Sequence, residues 1–411
     1  MRRQLPVYSP LDAGAIASAT IAAVRGGDRE RTALQQELGV RFEAERVILT
    51  GSGTQALQLA LSHLPPPGPG GTVVGLPAYS CYDLVTAAVG AEVRVRFYDI
   101  DPVSLTPDME SVREVLRAGA SAVVAGNLHG FPLNWGELRS ACEAAGVVLI
   151  EDAAQGVGTA TDEGPGGTLG EVTVLSFGRG KGWTGGGGGA LLLRRGAVGR
   201  MADARLAEAT RSVGTRHSVV TTAAWTLGRP TLYGLPAAIP GLGLGETRYR
   251  DPVRPGPISF FSAALARRTA SSAAAAVAHR RHRARRLAEH LGASNANDVG
   301  DDRGFVVCEP LGGADAASFL RLPVVFENAG GAAAFARMAQ GLGAALSYPL
   351  PLHRLGPAQP IQMDGVQKLT GSERLASSLV TLPTHEFVTA EEEESITTLL
   401  ARNPSGWRST S

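Results

Sequence analysis

From Arg46 to Leu193, short apolar runs recur, each followed by a turn and then a helical pattern. That alternation restricts a chain to few folds. The runs at 46–50, 72–77, 93–98, 122–125, 147–150, 172–177 and 190–193 read as strands. Residues 11–38, 55–61, 84–89 and 137–145 read as helices. The pattern predicts an α/β architecture with a doubly wound, mostly parallel sheet. Ligands of such sheets bind beyond the carboxyl ends of the strands. Thr54, Tyr79, Asp152 and Ser176 all fall at or just past strand ends and are suited to face one crevice.

A chain of 411 residues exceeds one small core, so two domains are expected. Residues 1–256 form the N-terminal segment and large domain, 257–291 a linking helix, and 292–411 a small α+β domain. Within the last, 319–326, 343–348 and 378–382 read as strands, and 332–342 and 390–400 as helices. Residues 196–256 break the pattern: apolar segments are interrupted by Arg229, Pro230, Pro236 and Pro240. This insertion is readable as an irregular packed segment, a substrate lid, a dimer contact or a surface that touches lipid.

The net charge of +1 gives no global case for nucleic acid or an anionic membrane. The arginines of 280–286 have no interleaved aromatic residues, so they read as a solvated helix face. Cys81, Cys142 and Cys308 are too scattered for a disulfide framework or a zinc site. The first residues lack a signal-peptide apolar run, and no run is long enough for a membrane span. A soluble cytoplasmic protein is expected.

Lys181 and Lys368 are the only lysines, against 37 arginines in a basic total of 39. Lys181 sits in Ser176-Phe177-Gly178-Arg179-Gly180-Lys181, followed by five glycines from Gly185 to Gly189. Arginine keeps its proton in water, whereas a neutral lysine amine forms Schiff bases with aldehydes. Pyridoxal phosphate requires such a lysine, a carboxylate for its ring nitrogen, a phosphate cup and a group flat against the ring. Asp152, at a strand end, supplies the carboxylate, which keeps the ring nitrogen protonated and the ring an electron sink. Gly53, Thr54 and Ser176 supply phosphate donors, because a strand, a Gly/Ser/Thr turn and a helix N-terminus together attract anions. An ordinary helix cap by Ser52 or Thr54 explains the same turn.

The ordered set of motifs resembles the DegT/StrS family of fold-type-I pyridoxal-phosphate enzymes, mostly sugar aminotransferases. The matching segments are Gly53-Thr54-Gln55-Ala56-Leu57, Pro77-Ala78-Tyr79-Ser80, Asp99-Ile100-Asp101-Pro102, Glu151-Asp152-Ala153-Ala154-Gln155 and Ser176-Phe177 with Lys181. Tyr348-Pro349-Leu350-Pro351-Leu352-His353 and Glu373-Arg374 extend the likeness into the small domain. The resemblance implies that Lys181 holds the cofactor and moves the proton, Asp152 pairs with the ring nitrogen, and Gln155 lies near the ring hydroxyl. Gly53, Thr54 and Ser176 would hold the phosphate, with Gln55 beside them. An amino-acid donor such as L-glutamate, a keto acceptor such as a nucleotide-linked sugar, and a homodimer with shared sites are implied in the same way.

Three positions depart from the family pattern. The ring-stacking aromatic falls on Cys81; either Tyr82 next to it stacks instead or the ring is covered differently. A histidine falls on Asn127. The Asn that reaches the partner's phosphate falls near Arg254-Pro255-Gly256, where Arg248, Tyr249 or Arg254 are candidates to replace it. An aminotransferase is the first reading. Another pyridoxal-phosphate reaction, such as dehydration, elimination or cyclisation, is the second, and a non-catalytic partner subunit the third.

Overall fold

The computed structural model describes residues 2–64, 71–206, 212–239, 247–292, 304–363 and 368–402. In chain order the large domain contains α1 (Ala13–Arg41), β1 (Arg46–Thr50), α2 (Gly53–Leu61), β2 (Val73–Pro77), α3 (Asp83–Gly90), β3 (Arg94–Tyr98) and α4 (Met109–Arg117). There follow β4 (Ala122–Gly126), α5 (Trp135–Ala145), β5 (Val148–Asp152), the two-residue hairpin strands β6 (Ala160–Thr161) and β7 (Gly164–Pro165), β8 (Val172–Ser176) and β9 (Gly189–Leu193). The main sheet has the order β1-β9-β8-β5-β4-β2-β3. Only β9 runs antiparallel to its neighbours; the other strands share one direction. The expected doubly wound, mostly parallel sheet is therefore present. Its strands lie between helices, so β2 and β9 are buried along their whole length.

Among its described residues the insertion holds three helices, α6 (Arg195–Arg200), α7 (Thr215–Leu227) and α8 (Gly234–Ala237). Part of the 196–256 stretch, residues 207–211 and 240–246, lies outside the described residues. The linking helix is α9 (Phe260–His290), started by Ser259, whose hydroxyl accepts from Ser262 N–H. It packs along α1, which is kinked at Gly26. Phe260, Phe261 and Leu265 bury against Ile16, Ala19 and Ala23 at this contact.

The small domain contains β10 (Phe305–Val307), β11 (Leu322–Phe326), α10 (Ala329–Met338), β12 (Ala345–Leu346), α11 (Thr370–Ser378), β13 (Leu379–Leu382) and α12 (Ala390–Ala401). Its sheet is antiparallel in the order β10-β11-β13-β12. Thr389 and Glu392 form a reciprocal cap at the start of α12.

One expectation needs correction. The strand expected over 319–326 begins only at Leu322. Phe319 has φ +43, and the Ser318 and Leu320 N–H groups donate to the Gly130 and His129 carbonyls, which turns that stretch out of the sheet. Helices α4 and α11 and strand β10 were not anticipated, although Asp108 caps α4 and Val112 and Val115 fall on its buried face. The N-terminal residues, grouped with the large domain, also contact the small one. Gln4 Nε2 donates to the Phe387 carbonyl at 2.7 Å, and His385 Nε2 lies 2.9 Å from the Leu5 carbonyl. Asp99, at the end of β3, also ties the domains together: it accepts from the N–H groups of Gly371 and Ser372 at the start of α11. No helix among the described residues is long and apolar enough to cross a membrane.

Candidate active site

Strand β5 ends in two carboxylates with opposite fates, because successive strand residues face opposite sides. Glu151 is wholly buried and accepts from the N–H groups of Gly167, Leu169 and Gly170 at 2.6, 2.9 and 3.1 Å, and from Thr173 Oγ1 at 3.0 Å. It anchors the loop that leads into β8. Asp152, half-buried, ends β5 at the carboxyl edge of the sheet. Its Oδ1 accepts from Ala154 N–H at 3.0 Å. Burial pushes the Asp152 carboxyl above its ordinary range, while the Lys181 charge and the Ala154 N–H pull it back down.

Lys181 lies in the loop from β8 to β9, and this loop is tightly held. Ser9 Oγ accepts from Gly180 N–H at 3.0 Å and donates to the Lys181 carbonyl at 2.9 Å. Trp183 buries against Phe177, with ring centroids 5.0 Å apart, and its Nε1 donates to the Ala266 carbonyl at 2.7 Å. The glycine run has a steric cause. Gly186 has φ +72 and a Cβ there would meet Thr221 Oγ1 at 2.1 Å. A Cβ on Gly189 would lie 2.5 Å from the Gly53 nitrogen. Only glycines let this loop pass so close to the start of α2.

Ser52 caps α2 by accepting from Gln55 N–H at 3.1 Å. Thr54 N–H has no acceptor among the described residues and lies in the first turn, where the helix dipole favours an anion. Gly53 packs on Ser176, the last residue of β8; a Cβ on Gly53 would meet Ser176 Cβ at 2.7 Å. Gln55 is placed as a brace. Its Oε1 accepts from Gly51 and Gly256 N–H at 3.2 and 3.0 Å, fixing the turn to the segment that precedes α9.

Gln155 bridges two elements. Its Oε1 accepts from His129 N–H and its Nε2 donates to the Tyr348 hydroxyl, both at 3.0 Å. His129 has φ +53 and is buried, with its ring stacked on Tyr348 at 6.2 Å and its Nε2 3.2 Å from Ser347 Oγ. Burial, then the charges of Arg321 and Lys181, push His129 down to about 3, so its imidazole is neutral. Burial also lowers Arg321 to about 10; its guanidinium donates to the Thr381 carbonyl at 2.9 Å.

Tyr82, a candidate to cover the ring, is tied to the small domain. Its hydroxyl accepts from Leu350 N–H at 3.0 Å, and its ring packs toward Tyr348, so it joins the domain contact. Cys81 instead shares the electrostatic neighbourhood of Lys181 and Asp152. Burial, reinforced by Asp83, raises the Cys81 thiol to about 12 and keeps it neutral. Lys181, Asp152, Gly53, Thr54, Ser176 and Gln155 thus lie at or past the carboxyl ends of β1, β5 and β8, with Gln55 as a brace. His129 and Tyr348 were legible only as members of motifs, and Ser9 carried no sequence signal.

The donor set fits pyridoxal phosphate. An unpartnered helix N–H and a close glycine wall suit a phosphate, and a carboxylate that interacts with a lysine charge suits a ring nitrogen with an aldehyde nearby. A sequence profile of the DegT/DnrJ/EryC1/StrS aminotransferase family matches residues 21–234, more than half of the chain. The chain belongs to this family. It is 32% identical over 154 residues to a dTDP-4-dehydro-2,3,6-trideoxy-D-glucose 4-aminotransferase of Saccharopolyspora spinosa, covering 37% of this chain and 39% of that one. It is 29% identical over 198 residues to a GDP-perosamine synthase of Vibrio cholerae, covering 45% and 51%. The matches thus span about half or less of these relatives' length. An aminotransferase of the same family from Brucella abortus shares the fold with a TM-score of 0.69 at 21% identity, over 94% of this chain and 95% of that chain.

Proposed function

We propose that this protein is a pyridoxal-phosphate-dependent aminotransferase that moves an amino group from an amino acid, with L-glutamate the favoured donor, to a keto group. The carrying observation is the placement of Asp152 at the end of β5, the tightly held Lys181 loop after β8, and the start of α2 packed on Ser176, all at the carboxyl edge of the sheet. Names of relatives point to a nucleotide-linked keto-sugar as the class of acceptor.

When bound, the cofactor supplies an aldehyde that takes up the amino group and a ring that accepts electrons from the α-carbon. The chain's residues have the following roles. Thr54 N–H and Ser176 Oγ hold the phosphate at the positive end of α2, with Gly53 and Gly189 giving it room. Asp152, at the carboxyl end of β5, would pair with the ring nitrogen and hold a proton there. Lys181 Nζ, once neutral, takes the α-proton of the donor. Ser9 and Trp183 keep the lysine loop from swinging away. Gln155 and Tyr348 orient the small domain over the crevice. Two copies assemble with their sites near the subunit contact, and the protein works in the cytoplasm.

The test is the visible spectrum of the purified protein with added pyridoxal phosphate, before and after L-glutamate, with Lys181→Ala alongside. A lysine-dependent band that bleaches with glutamate supports transamination. A band that ignores glutamate and other common donors favours dehydration or elimination. No band with folded protein rules out both.

A further inference from the structure

Residues 2–9 form no helix or strand, yet they reach both the small domain and the lysine loop. One end lies on the small domain. Gln4 N–H donates to the Gly341 carbonyl at 2.9 Å, and Gln4 Nε2 donates to the Phe387 carbonyl and to Glu392 Oε2 at 2.7 and 2.6 Å. The Leu5 carbonyl lies 2.9 Å from His385 Nε2. Gly343, at φ +88, makes room for this carbonyl; a Cβ there would stand 2.7 Å from it. The Tyr8 ring sits 4.6 Å from that of Phe387. Gln4, Tyr8 and Ser9 are buried, so water competes little for these bonds.

The other end lies on the lysine loop. Ser9 Oγ takes the Gly180 N–H and gives its own proton to the Lys181 carbonyl. Val7 packs beside Gly180, where a Cβ would lie 3.3 Å from Val7 Cγ1. Among the described residues, no backbone-to-backbone hydrogen bond is made by residues 178–184. The other bonds to their main chain are at the two ends: Gly178 N–H to Ser176 Oγ at 3.4 Å, and Thr269 Oγ1 to the Thr184 carbonyl at 2.6 Å. Ser9 is therefore the residue that fixes the peptide groups beside Lys181.

The connection between the two ends is short and stiff. Each anchor precedes a proline, Pro6 after Leu5 and Pro10 after Ser9. A following proline keeps the preceding residue out of the helical region, and Pro6 also has a fixed φ. Leu5, Pro6 and Ser9 thus have few backbone states open to them. A shift of the small domain at Leu5 is passed to Ser9 rather than absorbed by rotation between them.

We infer that residues 2–9 are a strap through which the docked small domain positions the lysine loop, with Ser9 the positioning residue for Lys181. The inference rests on the role proposed for Lys181 above. There the amine has two tasks, holding the cofactor and taking the α-proton, so its main chain must stay fixed while Nζ moves. Ser9 holds that main chain, and the strap makes its position depend on how the small domain sits over the crevice.

The experiment is amide hydrogen exchange of the cofactor-free full chain, read at Gly180, with the amides of β5 as internal reference. Ser9→Ala removes both bonds and should speed Gly180 exchange by about tenfold or more. The deciding variants are remote. Gln4→Ala and His385→Ala each remove a bond at the small-domain end and leave Ser9 in place. Each should speed Gly180 exchange by about threefold or more, with β5 unchanged. Exchange at the wild-type rate in the remote variants overturns the strap and leaves Ser9 a local brace. A rise in β5 as large as that at Gly180 also overturns it, because the loosening is then general. If one remote variant does not fold, the other decides. In the loaded enzyme, Ser9→Ala should lower kcat by about tenfold while the donor KM stays within about twofold. An unchanged kcat removes Ser9 as a positioning residue. Exchange is read without cofactor, so a wild type that does not transaminate would overturn the proposed activity and leave the exchange result standing.

Discussion

Gln155 Nε2 donates to the Tyr348 hydroxyl across 3.0 Å, and this bond links the loop after β5 to the small domain. The same carboxamide accepts from His129 N–H, so one side chain sets the positions of three segments. Tyr348→Phe removes only an oxygen and leaves Gln155 Nε2 short of its acceptor. The expected cost is about 1 kcal/mol of stability, read from the midpoint of a denaturant titration. An unchanged midpoint would show that the bond contributes nothing.

The two carboxylates of β5 should separate stability from chemistry. Glu151→Gln places an NH2 among three backbone donors and a hydroxyl, and should cost about 2–4 kcal/mol. Asp152→Asn should leave the unfolding midpoint close to wild type but lower turnover by about 10²-fold or more. If both variants unfold alike, the division of roles between these residues is wrong.

Gly189→Ala tests the wall of the phosphate cup. The added methyl would lie 2.5 Å from the Gly53 nitrogen, so α2 must shift. The expected loss is about 1–3 kcal/mol of stability, together with weaker binding of pyridoxal phosphate. Affinity for pyridoxal, which has no phosphate, should fall less. Equal losses for both compounds would place the phosphate elsewhere.

Lys181→Arg keeps the positive charge beside Asp152 but cannot form a Schiff base. The expected outcome is a folded protein that lacks the lysine-dependent absorbance band and turnover. A retained band would assign the chemistry to Lys368 or to another amine.

Acid should destabilise this protein in a defined window. Burial depresses His129 to about 3 and His385 to about 4. For a depressed histidine the unfolded chain takes up the proton first. The stabilising contribution is therefore complete above the ordinary value of 6.5 and is lost as pH falls through the folded-state values. Each histidine should add a slope of up to about 1.4 kcal/mol per pH unit within that window. Unfolding midpoints measured from neutral pH down to about pH 5 check this. His129→Asn, which tolerates positive φ, should flatten the slope, and an unaltered slope would exclude His129 as a contributor.

The sequence alone determined the local pieces. The apolar runs became β1 to β5, β8 and β9 within a residue or two, because a two-residue period and turn residues act over short distances. The rarity of lysine singled out Lys181, and position at a strand end singled out Asp152. The tertiary structure decided what no local pattern encodes. It tied the Tyr82 hydroxyl to Leu350 N–H of the small domain. It drew Ser9 to the lysine loop across 171 positions, and Gln155 to Tyr348 across 193. It also set Thr221 and His217 of α7 against Gly186 and Gly187. Such contacts depend on which elements pack together, and that is fixed by the burial of the whole core rather than by the residues on either side.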